Sequence, residues 1–353
     1  MGSDAGHSGK HAEGDSILST YDFNERYEDY EADFDPMRYD RQARRKRKPK
    51  VVHTPKKSKW EVIAEIADTA GLEAGFQTTY QPGLFEEGWL LESLRVFYEM
   101  DYVTDVLARI RGGKEASVYR CQTTAKTGMT LAAAKVYRPR RFRNLRNDAL
   151  YREGRAYLKE DGKAIKNNEH RLMRAIGKKT QLGEQLEHTS WLMYEYSTLQ
   201  RLYAAGANVP QALAVGENAI LMGYCGDEQM AAPTLNTVSL ESAEARRLFD
   251  TTLYNVELML QHGLIHGDLS AYNILYWHGD ITLIDFPQVI DSRTNPSAFA
   301  VLQRDITRVC EYFASQGVDA DADVIADRLW KHFMTGSTLN QMADASLFET
   351  DDE

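Results

Sequence analysis

The run His266-Gly267-Asp268-Leu269-Ser270-Ala271-Tyr272-Asn273 is followed after an apolar stretch by Ile284-Asp285-Phe286. An acid, an amide five positions on and a second acid after a hairpin bring together two kinds of chemistry. Asn273 and Asp285 offer the hard oxygen donors that Mg²⁺ prefers. Asp268 can orient a hydroxyl and accept its proton. Together they suit phosphoryl transfer from a nucleotide, a reaction governed by positioning and charge neutralisation. Each residue alone has an ordinary explanation, because Asp and Asn commonly cap turns. Three at this spacing, downstream of a helix and an apolar strand, argue for function. His266 reads as a packing and hydrogen-bonding post for the loop rather than a base.

A cation must face those acids, and Lys135 in the strand-like Ala133-Ala134-Lys135-Val136 is the candidate. Its partner is Glu195, which shares a helical face with Leu192, Tyr196 and Leu199. A carboxylate among core-facing residues needs a cation, since a lone buried charge costs several kcal/mol. Glu195 would fix Lys135, and Lys135 would hold nucleotide phosphates. Gly112-Gly113 would let backbone N–H groups approach phosphate, with Lys114 and Ser117 supplying further contacts. Val118 and Ala133 are small apolar groups suited to sandwich a planar base. Met222 leads into Gly223-Tyr224-Cys225-Gly226, a candidate hinge, with Tyr224 beside the nucleotide.

The elements that must position these groups follow from periodicity. Residues 1–58 lack apolar periodicity and read as a disordered tail, acidic over 22–40 and basic over 41–59. The run Arg44-Arg45-Lys46-Arg47-Lys48 could dock on RNA or remain a solvated tail. Residues 59–105 read as a helical subdomain, with Val62, Ile63, Ile66 and Ala67 on one face and Trp89, Leu90, Leu94, Phe97 and Tyr98 on another. A β-rich lobe is expected over 106–225, with strands at 106–110, 116–121, 130–137 and 219–222. Within it, 138–188 reads as a basic, flexible insertion, followed by a helix over 190–205. A helical lobe is expected over 226–335. It has a helix at 243–262, a hairpin of strands 274–277 and 281–284, and an amphipathic helix through Phe299, Leu302, Ile306, Val309 and Phe313. Residues 336–353 read as an acidic tail.

Length and composition agree with two packed lobes and polar ends. The chain has 353 residues, of which 43% are hydrophobic, enough for a sizeable core. A formal net charge of −10 argues against general nucleic-acid affinity. Cys121, Cys225 and Cys310 stand far apart, with neither metal-ligand spacing nor a disulfide framework. No apolar run approaches the roughly 18 residues a membrane span requires. A soluble cytoplasmic protein is expected, with no membrane partner.

Three segments resemble the RIO atypical protein kinases: Gly113-Lys114-Glu115-Ala116-Ser117-Val118-Tyr119, His266-Gly267-Asp268-Leu269-Ser270 through Asn273, and Ile284-Asp285-Phe286-Pro287-Gln288. The likeness runs from about Val103 to Phe313. The basic insertion, with Arg141-Phe142-Arg143, is similar to the first RIO branch, and the Phe-Pro-Gln ending to the second. The resemblance implies an α+β, two-lobed, protein-kinase-like fold trimmed of the usual activation and peptide-binding segments. It implies ATP and Mg²⁺ as cofactors, serine/threonine kinase activity with autophosphorylation or ATP hydrolysis, and a role in small-subunit ribosome maturation. Asp268 becomes the proton acceptor, Asn273 and Asp285 the metal ligands, and Asp285 also the site of an acyl-phosphate intermediate. The partners it implies are ATP, a protein substrate or the chain itself, and a ribosomal subunit or RNA met through the basic segments. A small-molecule phosphotransferase of the aminoglycoside or choline kinase kind resembles the same His-Gly-Asp, Asn and Ile-Asp-Phe pattern. Such enzymes need a helical substrate block after the metal Asp, and little chain follows Asp285 here. A third possibility is an ATP-hydrolysing assembly factor with no protein substrate.

Overall fold

In α1 (Leu84–Glu99), Leu90, Leu94 and Phe97 recur at helical spacing, and all three are fully buried. The helix ends with Asp101 in the left-handed region, at φ 58°. There the Tyr102 N–H donates to Phe97 O and the Asp101 N–H to Tyr98 O. Glycine is the commoner residue at such a helix-ending reversal. The turn feeds the chain straight into the first strand. These elements belong to a computed structural model that describes residues 78–113, 116–137, 156–166 and 168–348. The expected tail over 1–58, the stripe of Val62, Ile63, Ile66 and Ala67, the candidate Lys114, and residues 138–155 of the insertion lie outside the described residues.

Strands β1 (Val103–Gly112), β2 (Ala116–Thr123), β3 (Leu131–Tyr137), β4 (Ala212–Val215) and β5 (Ala219–Gly223) form an antiparallel sheet in the order β1-β2-β3-β5-β4. Alternation along each strand gives the sheet two faces. Tyr119, Cys121, Ala132, Ala134, Val136 and Leu221 pack with Leu90, Leu94 and Phe97 beneath α1. Ala133, Tyr137, Ile220 and Met222, with Val118 against them, point the other way and join the core of the second lobe. Lys135 alternates in phase with Ala133 and Tyr137, so it projects from that second face.

Several elements differ from the sequence expectation. The part of 59–105 that is described does not stand apart as a helical subdomain. The apolar stripe of α1 roofs the sheet, and β1 already begins at Val103. The helix expected from 190 starts about two and a half turns earlier, at Gln181. After α2 (His170–Gly177), Thr180 caps α3 (Gln181–Ala204), its hydroxyl oxygen accepting the Gly183 N–H at 3.2 Å. The polar residues of 181–188 hid this turn. A Cβ on Gly183 would fall 2.1 Å from Ala175 O, so the contact between α2 and α3 depends on glycine. β4 was not expected, because four residues are too few for alternation to show.

The second lobe is mainly helical. It contains α4 (Ser242–Gln261), α5 (Ala298–Ser315) and α6 (Ala322–Phe348). Two short antiparallel pairs lie among them: β6 (Leu264–Ile265) with β9 (Ile290–Asp291), and β7 (Ile274–Trp277) with β8 (Asp280–Leu283). Only a loop and β9 separate Asp285 from α5. The acidic tail expected from 336 is helical through Phe348. Leu339, Gln341, Met342, Ala343, Ala345 and Leu347 are good helix formers, and their propensity outweighs the scattered polar residues. The whole is the α+β, β-rich-then-helical arrangement that the sequence predicts. Among the described residues no helix is long and apolar enough to cross a membrane, and Cys121, Cys225 and Cys310 are free thiols.

Leu94→Ala is expected to destabilise the chain by about 2–5 kcal/mol, the usual range for emptying a core leucine site. A lower urea midpoint in chemical denaturation would report it. An unchanged midpoint would mean that α1 is not part of this core.

Candidate active site

β3 presents Lys135 to two carboxylates that come from different elements. Lys135 Nζ lies 2.6 Å from Glu195 Oε1 and 2.5 Å from Asp285 Oδ1. Glu195 is held in α3 on the buried stripe of Leu192, Leu199 and Leu202, and its side chain is 1% exposed. The Tyr137 hydroxyl, two residues along the same face of β3, donates to Glu195 Oε2. Lys135 Nζ also lies 5.3 Å from the centre of the Tyr137 ring. Burial alone would push the Lys135 ammonium toward the neutral form. The charges of Asp285 and Glu195 and their hydrogen bonds outweigh burial and raise its pKa above the usual lysine range. Burial likewise acts to raise the Asp285 pKa. Lys135, its hydrogen bond, and the charge of Arg111 prevail and hold it below the ordinary carboxylate range. Lysine and aspartate are therefore both ionised at neutral pH.

Asp285 itself has φ 72°, a left-handed conformation for a non-glycine residue. The chain leaves β8 through this residue, which turns its carboxylate toward Lys135 instead of continuing the strand. The register Ile274↔Leu283 and the Ile284 N–H to Asn273 O bond of 2.9 Å set Asn273 opposite Ile284. Asn273 and Asp285 are thus brought together at one end of the β7–β8 hairpin. Both offer hard oxygen donors, a set that fits Mg²⁺ when phosphates and water complete its shell.

Asp268 sits in the loop after β6 and is 6% exposed. Arg308 Nη1 donates to its Oδ1 at 2.7 Å, and Asn273 Nδ2 donates to its Oδ2 at 3.0 Å and to its backbone oxygen at 2.9 Å. Committing the amide nitrogen to Asp268 fixes which way the Asn273 amide faces. His266 ties the loop to the strand before Asp285. Its Nδ1 accepts the Asp268 N–H at 3.3 Å, its Nε2 meets Ile284 O at 3.1 Å, and its ring packs 4.6 Å from that of Phe286. An accepting Nδ1 leaves the proton on Nε2, which donates to Ile284 O. Gly267, at φ 83°, is gripped on both sides. Its N–H donates to Asp305 Oδ2 at 2.8 Å, and its carbonyl accepts from Arg304. A Cβ there would lie 2.2 Å from Gln288 O, so no other residue fits.

The remaining candidates divide between the two faces of the sheet. Val118 pairs with Lys135, and Ala133 with Met222, so these apolar groups adjoin the lysine on the cleft side. Tyr224 packs against the same core and donates from its hydroxyl to Asp227 O at 3.1 Å. Gly112 pairs with Ser117, and the Gly113 N–H donates to Ala116 O at 2.9 Å, closing the hairpin turn. A Cβ on Gly113 would also come within 2.9 Å of Ala116 O. Ser117 departs from its expected role. It alternates in phase with Tyr119 and Cys121, is 1% exposed, and therefore points beneath α1 and away from the cleft.

The sequence reading missed Tyr137, Arg304, Asp305 and Arg308. The signal for the last two lay in α5. Asp305 falls in phase with Val301, Leu302, Ile306 and Val309, and Arg308 is 2% exposed. Charged residues on a core-facing stripe need partners, the same logic that singles out Glu195. Tyr137 gives no such signal, because an aromatic at a strand end is ordinary core.

Comparisons with known proteins place the chain among kinases of one family. Residues 117–325 match the family model described as the RIO domain. The chain is 31% identical over 247 residues to serine/threonine-protein kinase RIO1 of Chaetomium thermophilum, covering 67% of this chain and 44% of that protein. It is 28% identical over 229 residues to the RIO-type serine/threonine-protein kinase Rio1 of Haloferax volcanii, covering 64% of this chain and 68% of that protein. It is 32% identical over 155 residues to serine/threonine-protein kinase RIO3 of Homo sapiens, covering 44% and 29%. The chain thus spans less than half the length of the Chaetomium protein.

Arg308→Met leaves the Asp268 carboxylate buried without its cation, and is expected to cost about 3–5 kcal/mol of stability. The pair Asp268→Asn and Arg308→Met together should recover most of that loss in the same denaturation experiment. If the single and double variants unfold alike, the ion pair is not what holds the loop.

Proposed function

The chain belongs to the RIO family, and we propose from that premise that it is an atypical serine/threonine protein kinase dependent on ATP and Mg²⁺. One observation carries the reading. Lys135, Glu195 and Asp285 converge across the two lobes, while His266 and Asn273 link Ile284, the residue before Asp285, to Asp268. Lys135, held by Glu195, would contact the nucleotide phosphates. Val118, Ala133 and Met222 would line the base site, with Tyr224 at the hinge. The Gly112-Gly113 turn would bring backbone N–H groups to the phosphates.

Asn273 and Asp285 would hold the metal, whose chemistry is to neutralise charge on the phosphates. Asp268 would orient the acceptor hydroxyl. A carboxylate has about four lone-pair sites, so bonds from Arg308 and Asn273 leave capacity for that hydroxyl. The hydroxyl oxygen attacks the terminal phosphorus, and its proton passes to Asp268. The bond to the bridging oxygen breaks, and ADP leaves with the electron pair. The acceptor is a serine of a protein or of this chain. The carboxylate of Asp285, 41% exposed, is the alternative acceptor, giving an acyl phosphate that water then hydrolyses. A reducing cytoplasm suits the three free thiols. Small-subunit ribosome maturation, with the basic segments meeting RNA, is the cellular role we favour.

Purified full-length chain with Mg²⁺ and γ-labelled ATP is expected to become labelled. Asp268→Ala should still bind nucleotide but lose turnover. Acid-stable label on serine supports protein kinase action, and hydroxylamine-sensitive label supports the acyl phosphate. Neither labelling nor release of phosphate from ATP would contradict the reading, and label confined to small sugars or amines would favour a small-molecule phosphotransferase.

A further inference from the structure

Arg111 stands next to the glycine turn, and a break in strand register decides where it points. Along β1, Arg109 pairs with Tyr119 and Arg111 with Val118, with an irregularity between the two pairs. Two residues of β1 therefore oppose one step of β2, the signature of a β-bulge at Ile110. In a regular strand, Arg109 and Arg111 would share a face. The bulge sends them to opposite faces. Arg109 stays on the roofed side, with Nη1 3.4 Å from Glu86 Oε1 of α1. Arg111 moves to the cleft side, in a cross-strand row with Val118 and Lys135. Its Nη1 reaches Tyr272 O at 3.4 Å, within the loop that carries Asp268 and Asn273.

We propose that Arg111 is a further catalytic residue, whose guanidinium contacts the phosphoryl group in flight and neutralises its equatorial oxygens. This rests on the phosphotransfer reading above and deepens it. Lys135 is two strands away, about 10 Å at the usual strand spacing, and it is engaged by Glu195 and Asp285. A second cation thus lies on the same cleft-facing side of the sheet as the first, toward the glycine turn. In the step itself, the acceptor oxygen–phosphorus bond forms as the bond to the bridging oxygen breaks. ADP takes the electron pair, the hydroxyl proton goes to Asp268, and Arg111 gains or loses nothing. A planar guanidinium offers two phosphoryl oxygens a rigid bidentate fork, which an ammonium lacks. Bulges recur beside active sites because they re-aim one side chain while the strand continues.

The test uses full-length chain in single-turnover phosphoryl transfer at saturating Mg²⁺-ATP, together with Mg²⁺-ADP affinity by calorimetry. Arg111→Ala is expected to lower the rate about 10²–10³-fold, the range for loss of one transition-state contact. ADP affinity should shift by less than about threefold. Arg111→Lys should fall between the two, and added guanidinium ion should restore part of the Arg111→Ala rate. Arg109→Ala, on the same strand but the opposite face, should match the parent chain. A rate within about threefold of the parent would overturn the role of Arg111 alone. So would a rate loss matched by an equal loss of ADP affinity, which would make Arg111 a structural latch. A parent chain that binds ADP but transfers no phosphate would overturn the phosphotransfer reading, and this role with it.

Discussion

An ammonium group withdrawn from water must find negative charge, and Lys135 finds it from two directions. Glu195 is anchored in α3 among leucines, and Asp285 arrives from the end of the β7–β8 hairpin. The resulting contact is one point at which the sheet and the helical lobe meet chemically. Leaving either carboxylate or the lysine alone would strand a charge in a partly desolvated site, at a cost of several kcal/mol. The elements that bring the three together are therefore coupled: a shift in α3 or in the hairpin is resisted by the same ion pairs.

The rest of the structure can be read as support for that meeting. β3 exposes small alanines on both faces, which lets α1 close down on one side and leaves room beside Lys135 on the other. α5 plays the matching part below. Arg304 and Asp305 grip the Gly267 peptide, and Arg308 holds the Asp268 carboxylate, so one helix fixes two consecutive residues of the loop. His266 then fastens that loop to the strand leading into Asp285. Asp268 and Asp285 are each positioned by short, charge-assisted bonds, whose geometry is narrow.

Much of this was legible in the sequence because it depended on local pattern. The alternation in β3 and the helical phase of Glu195 each announce a residue type out of keeping with its face. The spacing from Asp268 to Asn273 spans one turn, and the hairpin register does the remainder. What the sequence hid depended on tertiary closure. The side assigned to Ser117 follows from counting along β2 once the roofed face is known. The early start of α3 depends on Thr180 as a cap and on Gly183 meeting α2. The bulge that separates Arg109 from Arg111 leaves no mark in residue type, because both are arginines flanked by apolar neighbours. The extension of α6 was masked by polar composition in residues whose helix propensity is high.

If Lys135 holds the nucleotide as proposed, Glu195 acts on that nucleotide only through Lys135. A double-mutant cycle of Lys135→Met and Glu195→Gln, read as calorimetric affinity for Mg²⁺-ATP, tests it most directly. Strong coupling of more than about 1 kcal/mol is expected, with the double variant binding no worse than Lys135→Met alone. Losses that simply add would contradict it, because Lys135 and Glu195 would then be acting on the nucleotide independently.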